Sequence, residues 1–577
     1  MANINNDNRH AQDASSVDTF DYVVVGTGAG GSIVASRLSE DPGVTICSIE
    51  SGPPDTNPYI HLPAGLIKVL FNPKYTWQFK TEPSEYLNGR SVSMPVGRTV
   101  GGSTSINGMS INRGQADDFN SWANSGNIGW GYADVLPYFR KFERRIGDAD
   151  DTYRGRDGKI PVTDIDWIHP ACEAFIEGAM GLGIPRNPDY NGSDQAGVCY
   201  TQRSIFKGLR RSAARMFLLP AMRETKRIDL RTNSRVSNII FEGKRAVGVR
   251  YIDERDRSKT HIVYARREVI IAAGTVNTAR LLQISGVGPA SLLQQLGVPV
   301  VADLAGVGEN FRDHCQVRLV ARAKNTTTMN ERTRGPRLLL EGMRWALGLP
   351  NCLALTPSLV YCFWKTAAEM SNPDVQMVFT PASYKEGYAS LLDDFPGLTC
   401  GVWKERPESS GYVRARSTDP YTDPIIQPNY LKDASDQRTM VEGIKLARKL
   451  LHTPELAKYV VQETFPGAAI QTDDQILDWA RKYCTSVWHL IGTARMGPAS
   501  DPTAVVDNQL RVYGLQNLRI VDASIMPNMP SANTYASTMM IAEKASDMIR
   551  GRQVAPVIIP DPRETIQTQR RRSATAV

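Results

Sequence analysis

The sequence predicts an α/β fold, α+β overall, with one unit assembled from separated stretches and a second inserted into it. Three observations carry this: a β-α-β unit with a glycine-rich turn near the N-terminus, further apolar strands of the same character far downstream, and intervening stretches with more Trp, Pro and irregular spacing. The chain has 577 residues, 41% of them hydrophobic and 22% charged, which is more than a single compact core organises.

The first unit lies in residues 20 to 51, FDYVVVGTGAGGSIVASRLSEDPGVTICSIES. Val23 to Val25 form a strand, a helix opens inside the turn that follows, and VTICSIE forms a second strand. The turn carries GxGxxG as Gly26, Gly28 and Gly31, with Ala29 between, and Glu50 follows 19 residues after Gly31. Missing Cβ atoms let this backbone turn tightly and approach a pyrophosphate, whose charge meets free N–H groups at the helix N-terminus. Glu50 is placed to accept hydrogen bonds from ribose hydroxyls and to disfavour a 2′-phosphate. The unit is therefore Rossmann-like and binds a dinucleotide.

Downstream, Arg231 to Gly274 reads as a β-meander returning to a strand at Val269 to Ala273. LRIVDAS at 518 to 524 is a buried strand ending in Asp522, and ANTYASTMMIAEKASDMI leads into a terminal helix. The expected division is a cofactor-binding unit from 20–160, 205–315 and 484–551, and an antiparallel sheet with helices from 161–204 and 316–483 that covers the cofactor and shapes the substrate site. Residues 1–19 are expected to be a disordered arm, and 552–577 a tail that straggles over the surface.

Sixty-seven basic against 60 acidic residues give a net charge of +7, with no long basic run before Arg570 to Arg572, so nucleic acid is a poor partner. The first 18 residues lack the features of a signal peptide, and no apolar stretch is long enough to cross a bilayer. An intracellular, cytoplasmic protein without a membrane span is expected. The eight cysteines stand singly, with no CxxC and no metal-like grouping with His, which predicts reduced buried thiols and no metal site.

Four further motifs give the chain a family likeness. They are GRTVGGSTSINGMSINRG at 97–114, AAGTVNTARLLQISGVG at 272–288, VWHLIGTARMG at 487–497 and NLRIVDASIMPNMPSANTYASTMMIAEKASDMI at 517–549. With the glycine turn, they make the chain resemble the glucose-methanol-choline (GMC) oxidoreductases, FAD-dependent alcohol oxidases and dehydrogenases, from about Phe20 to Arg550. Ala279 and Ile111 depart from the usual pattern at positions that carry no reacting group.

The resemblance implies FAD contacts at Gly26, Gly28, Ala29, Gly31 and Glu50, and at Arg98, Gly101, Gly102, Ser103, Asn107 and Gly108 in the flavin loop. It adds Val236 at the adenine, Asp522 and Ala523 near the ribityl-pyrophosphate region, and Asn533 and Thr534 where the terminal helix faces the pyrimidine end of the flavin. Some members attach FAD through a His just before the loop Asn; here that position is Ile106, which has no nucleophilic atom, so FAD is expected to be noncovalent.

Alcohol oxidation moves a hydride from the carbinol carbon to flavin N5 as the hydroxyl proton leaves, so a base must reach that oxygen. The family motif assigns this to His489. Asn533 matches the second catalytic position, where an amide donates to the substrate oxygen and also caps the following helix. Val487 and Trp488 precede His489, and this VWH triplet resembles the aryl and furfuryl alcohol oxidases, which points to an aryl or furan primary alcohol as the small-molecule partner. The alternatives are an aliphatic, polyether or choline-like alcohol with an acceptor other than oxygen, or a hydroxynitrile-lyase-type member. Choline is disfavoured because no acidic cluster marks a cation site. Tyr361, Phe363, Trp364, Met377, Phe379 and Trp403 fall in the sheet expected over the flavin; which of them face the pocket stays open, as do the electron acceptor and the oligomeric state.

Overall fold

The computed structural model describes residues 18–385 and 391–559; most of the N-terminal arm and the tail beyond 559 lie outside the described residues. A seven-stranded sheet runs in the order Ile228–Arg231, Ile46–Ile49, Thr19–Val25, Asp256–Ile271, Arg245–Asp253, Ser234–Glu242, with Leu518–Ile520 added to Asp256–Ile271. Val23, Val24, Ile46 and Ile270 are fully buried, as expected where helices cover both faces of parallel strands.

The meander is present, but its last strand is a single 16-residue element. Its first half pairs antiparallel with Arg245–Asp253, and its second half pairs parallel with Thr19–Val25 and Leu518–Ile520. This change of partner brings the carboxyl ends Val25, Ile271 and Ile520 side by side. The loops leaving them carry Gly26, Gly274 and Asp522, and ligands of open parallel sheets bind at such ends. Helices Ala29–Leu38 and Thr534–Ile549 pack together over the sheet, joined by Arg37, which donates to the buried Glu543 at 2.9 and 2.7 Å.

The second sheet is antiparallel, in the order Val460–Phe465, Cys315–Ala323, Gly397–Lys404, Val375–Thr380, Val360–Trp364, Gly197–Tyr200, with Thr485–Ser486 added to Cys315–Ala323. Strand alternation sorts its side chains. Cys362, Met377, Phe379 and Val402 join the core that contains helices Pro170–Gly181 and Ala434–Leu451, with Trp364 at its margin. Tyr361, Phe363, Val378 and Trp403 gather on the other face with Tyr190 and Cys199, and Val487 packs against them.

Candidate active site

A cleft of about 1730 Å³ of space free of protein atoms, part of it open to solvent, lies at the carboxyl ends of the parallel strands. At one end its wall is backbone. Gly26 holds φ +96°, where a Cβ would run into the Ala272 carbonyl, while Gly28 faces open space. Helix Ala29–Leu38 starts at Gly28 with no side-chain cap and no acid in its first turn. Helix Thr534–Ile549 starts at Asn533 in the same way. Two uncapped helix N-termini on one cleft form a site for an anionic, phosphate-bearing molecule.

Glu50 lines the cleft and is already engaged: Oε2 accepts from the Thr27 N–H at 3.1 Å and the Thr27 hydroxyl at 2.7 Å, and Oε1 accepts from the Gly52 N–H at 2.9 Å. Burial pushes its carboxyl up. Asp522 also lines the cleft and closes a third helix, Thr275–Ile284, by accepting from the Gly274 N–H at 2.9 Å and the Thr278 hydroxyl at 2.6 Å. Ala29, Gly102, Ser103, Asn107, Gly108, Val236, Ala523 and Thr534 complete the set of expected cofactor residues on the wall.

Three expected contacts stand behind the wall. Gly31 lies against the Gly26 carbonyl, where its lack of a Cβ lets helix and turn pack closely. Gly101, at φ +94°, turns the chain into the short helix Gly102–Ser105. The Arg98 guanidinium stacks 5.1 Å from the Trp77 ring and pairs with Glu254 at 3.1 Å.

At the other end the wall is made of side chains. The His314 Nε2 lies 2.7 Å from the Glu405 carbonyl oxygen, which can only accept, so that nitrogen carries the proton. The His314 Nδ1 is then an acceptor and takes the Nδ1–H of His489 at 2.9 Å. The His489 Nε2 is left with a lone pair, 2.9 Å from the Asn533 Nδ2. The Asn533 oxygen accepts from the Tyr361 hydroxyl at 3.4 Å. Asn533 thus occupies the helix-cap position without capping: its amide is held by His489 and Tyr361, contrary to the dual role expected from sequence. Burial, reinforced by His314, holds the His489 imidazole well below the usual His value of 6.5, and burial takes His314 to about 4, so both rings are neutral near pH 7.

The loop that presents His489 hangs on Asp313. Its buried carboxylate accepts from the His489 N–H at 2.7 Å and from the Ser486 and Tyr430 hydroxyls, and burial raises its pKa to about 6. The Ser486 oxygen accepts from the Trp488 N–H at 2.8 Å, holding Trp488 at φ +63°, an uncommon conformation for a bulky residue. Val487 and Trp488 both line the cleft, and Trp488 packs against the buried cluster of Ile60, Val69, Leu70, Tyr75 and Ile106.

Four residues here escape sequence reasoning: Asp313, His314, Tyr361 in this role, and Glu405. The only local sign is an Asp-His pair opening an apolar strand. Glu405 is fully buried, neither carboxyl oxygen has a partner, and burial drives its pKa well above the carboxylate range.

A phosphate-binding turn joined to a neutral imidazole beside a donor amide defines a dinucleotide-dependent oxidoreductase site. The comparisons narrow this to a family. Models described as GMC oxidoreductase match residues 20–316 and 407–542. The "Alcohol dehydrogenase [acceptor]" of Pseudomonas putida is 37% identical over 92% of this chain and 95% of its own length. Human mitochondrial choline dehydrogenase is 37% identical over 96% of this chain and 94% of its own. The crystal structure of pyridoxine 4-oxidase from Mesorbium loti superposes with a TM-score of 0.83 at 28% identity, covering 93% of this chain and all of that one. The chain belongs to the GMC oxidoreductase family and is an FAD-dependent alcohol oxidoreductase.

Proposed function

We propose that this enzyme oxidises a primary alcohol to its aldehyde, with the His489 Nε2 removing the hydroxyl proton and an aryl or furan-type alcohol as substrate. The observation that carries the proposal is the chain of hydrogen bonds Glu405 carbonyl, His314, His489, Asn533, which runs in one direction and makes the His489 Nε2 the accepting, basic atom at the cleft, taken by the Asn533 amide at 2.9 Å. An alcohol oxygen that displaces the Asn533 amide from the His489 Nε2 donates its proton to that nitrogen and accepts from the amide in turn. The resulting imidazolium keeps its Nδ1–H on His314. Noncovalently bound FAD supplies the acceptor for the hydride. The uncapped end of helix Ala29–Leu38 and Glu50 would hold its nucleotide half, and the N-terminus of helix Thr534–Ile549 and the loop 101–108 would serve its ring.

Val487 lines the cleft beside His489 and packs against the buried aromatic cluster of Tyr361, Phe363 and Trp403, with the Trp403 ring 6.4 Å from the imidazole, a setting that suits a flat alcohol. Anaerobic addition of benzyl, furfuryl, alkyl, polyether and choline alcohols, followed by flavin absorbance, tests this. Fast bleaching by the first two is expected, and bleaching by choline alone contradicts the aryl assignment.

Glu405 favours a second reading, a choline-like amino alcohol, because a cation would give its unpartnered buried carboxyl a reason to ionise. On that reading Glu405→Gln raises KM for choline about tenfold and leaves benzyl alcohol unchanged. Equal effects on both alcohols remove the cation role.

A further inference from the structure

Helix Gly335–Ala346 is inside out. Its one buried side chain is charged: Glu341 takes Arg332 at 3.1 Å and the Cys352 N–H at 2.8 Å. The outward face carries Leu338, Leu339, Leu340 and Met343, and the chain just beyond adds Leu347 and Leu349; Leu339 is 71% exposed, Met343 58% and Leu347 74%. Surface helices ordinarily present the reverse pattern, and a contiguous exposed apolar patch marks an interaction site.

The helix is fixed in place by the Trp345 indole, which donates to the Gly208 carbonyl at 3.0 Å. The turn Cys352–Ala354 that follows it packs on the turn Pro63–Gly65. Around that second turn, Tyr59, Ile67 and Phe71 are exposed as well. Ile60, Val69 and Leu70 of the same segment point inward and pack with Ile106 and Trp488 on the cleft wall. One apolar surface therefore extends from the helix to the outer side of the cleft wall.

The exposed charges on its own two segments have one sign. In residues 56–75 and 334–350 the exposed charged side chains are Lys68, Lys74, Arg334 and Arg337, and the only carboxylate is the buried Glu341. Arg334 and Arg337 also reach Asp394 and Glu331 from neighbouring segments at 3.1 and 3.4 Å.

We propose that this face docks on the surface of an anionic lipid bilayer, its leucines in the acyl boundary and its Lys and Arg at the headgroup phosphates. Attachment is in the plane of the membrane: no described helix is long and apolar enough to cross one. A second copy fits the face less well, since twofold symmetry sets the same cations against each other.

The test is flotation of the purified holoenzyme with phosphatidylglycerol–phosphatidylcholine vesicles. The enzyme is expected to float with these vesicles and to remain below with phosphatidylcholine alone or at high salt. Leu339→Ser with Leu347→Ser is expected to cut binding at least about tenfold while turnover with a soluble dye acceptor is unchanged. Arg334→Gln with Arg337→Gln removes little packing and is expected to weaken binding to the anionic vesicles, which answers the question even if the leucine variant misfolds. Wild-type protein that stays off anionic vesicles overturns the proposal, as does a leucine variant that floats equally well. A wild-type dimer that the leucine variant dissociates, with no vesicle binding, assigns the face to a second copy instead.

Discussion

The two ends of the cleft are built differently. At the glycine turn the wall is backbone, contributed by consecutive residues from Gly26 to Gly30. At His489 it is side chains at 487–489 and 533, held from behind by groups of distant segments at 313–314, 361, 486 and the Glu405 carbonyl. A backbone site is written in a short run of sequence because only glycine satisfies its geometry. A side-chain site exists only after folding has brought remote segments together, and its supporting residues carry no spacing signature.

Substitution at the glycine turn tests the first half of this contrast and carries the largest expected effect. Gly26→Val sets a branched Cβ against the Ala272 carbonyl at a φ of +96°, and no soluble yellow protein is expected. Gly28→Ala meets open space, so the melting temperature should hold while flavin retention on dilution falls. Equal losses of fold in both variants would erase the distinction between packing and ligand approach.

At the other end, His314→Leu removes the acceptor that holds the His489 tautomer. The anaerobic flavin-reduction rate is expected to fall about ten- to a hundredfold with FAD content unchanged, as for other groups that orient a working imidazole. An unaltered rate would mean that the loop anchored on Asp313 orients the ring unaided.

The pH profile gives a smaller effect of defined sign. In the proposed mechanism His489 must be neutral to act as base, and burial together with His314 lowers its pKa well below 6.5. Activity is therefore present through neutral pH and lost as pH falls below the value of a free imidazole. The acid limb of kcat/KM is expected below pH 6.5 in the free enzyme. A limb above that value would show that the folded protein stabilises the imidazolium instead.

The same contrast explains what was legible beforehand. The parallel strands, the meander and the turn follow from apolar runs and glycines, and the change of partner inside Asp256–Ile271 does not, because periodicity says nothing about pairing. His489 and Asn533 stand out through their motifs. Asp313, His314 and Glu405 look like ordinary polar residues at strand ends, and their importance lies in burial and in the partners they meet. Arg98 shows what a motif leaves unsaid: it sits within the flavin loop, and its guanidinium meets Trp77 and Glu254, partners that no spacing announces.

The most direct test of the central claim is anaerobic stopped-flow reduction of the bound flavin by benzyl alcohol in wild type and His489→Ala. The variant is expected to keep the oxidised flavin spectrum and to lose about 10²- to 10⁴-fold in reduction rate, the range for removal of a general base. A variant that bleaches at the wild-type rate would contradict the assignment of His489 as the group that takes the hydroxyl proton.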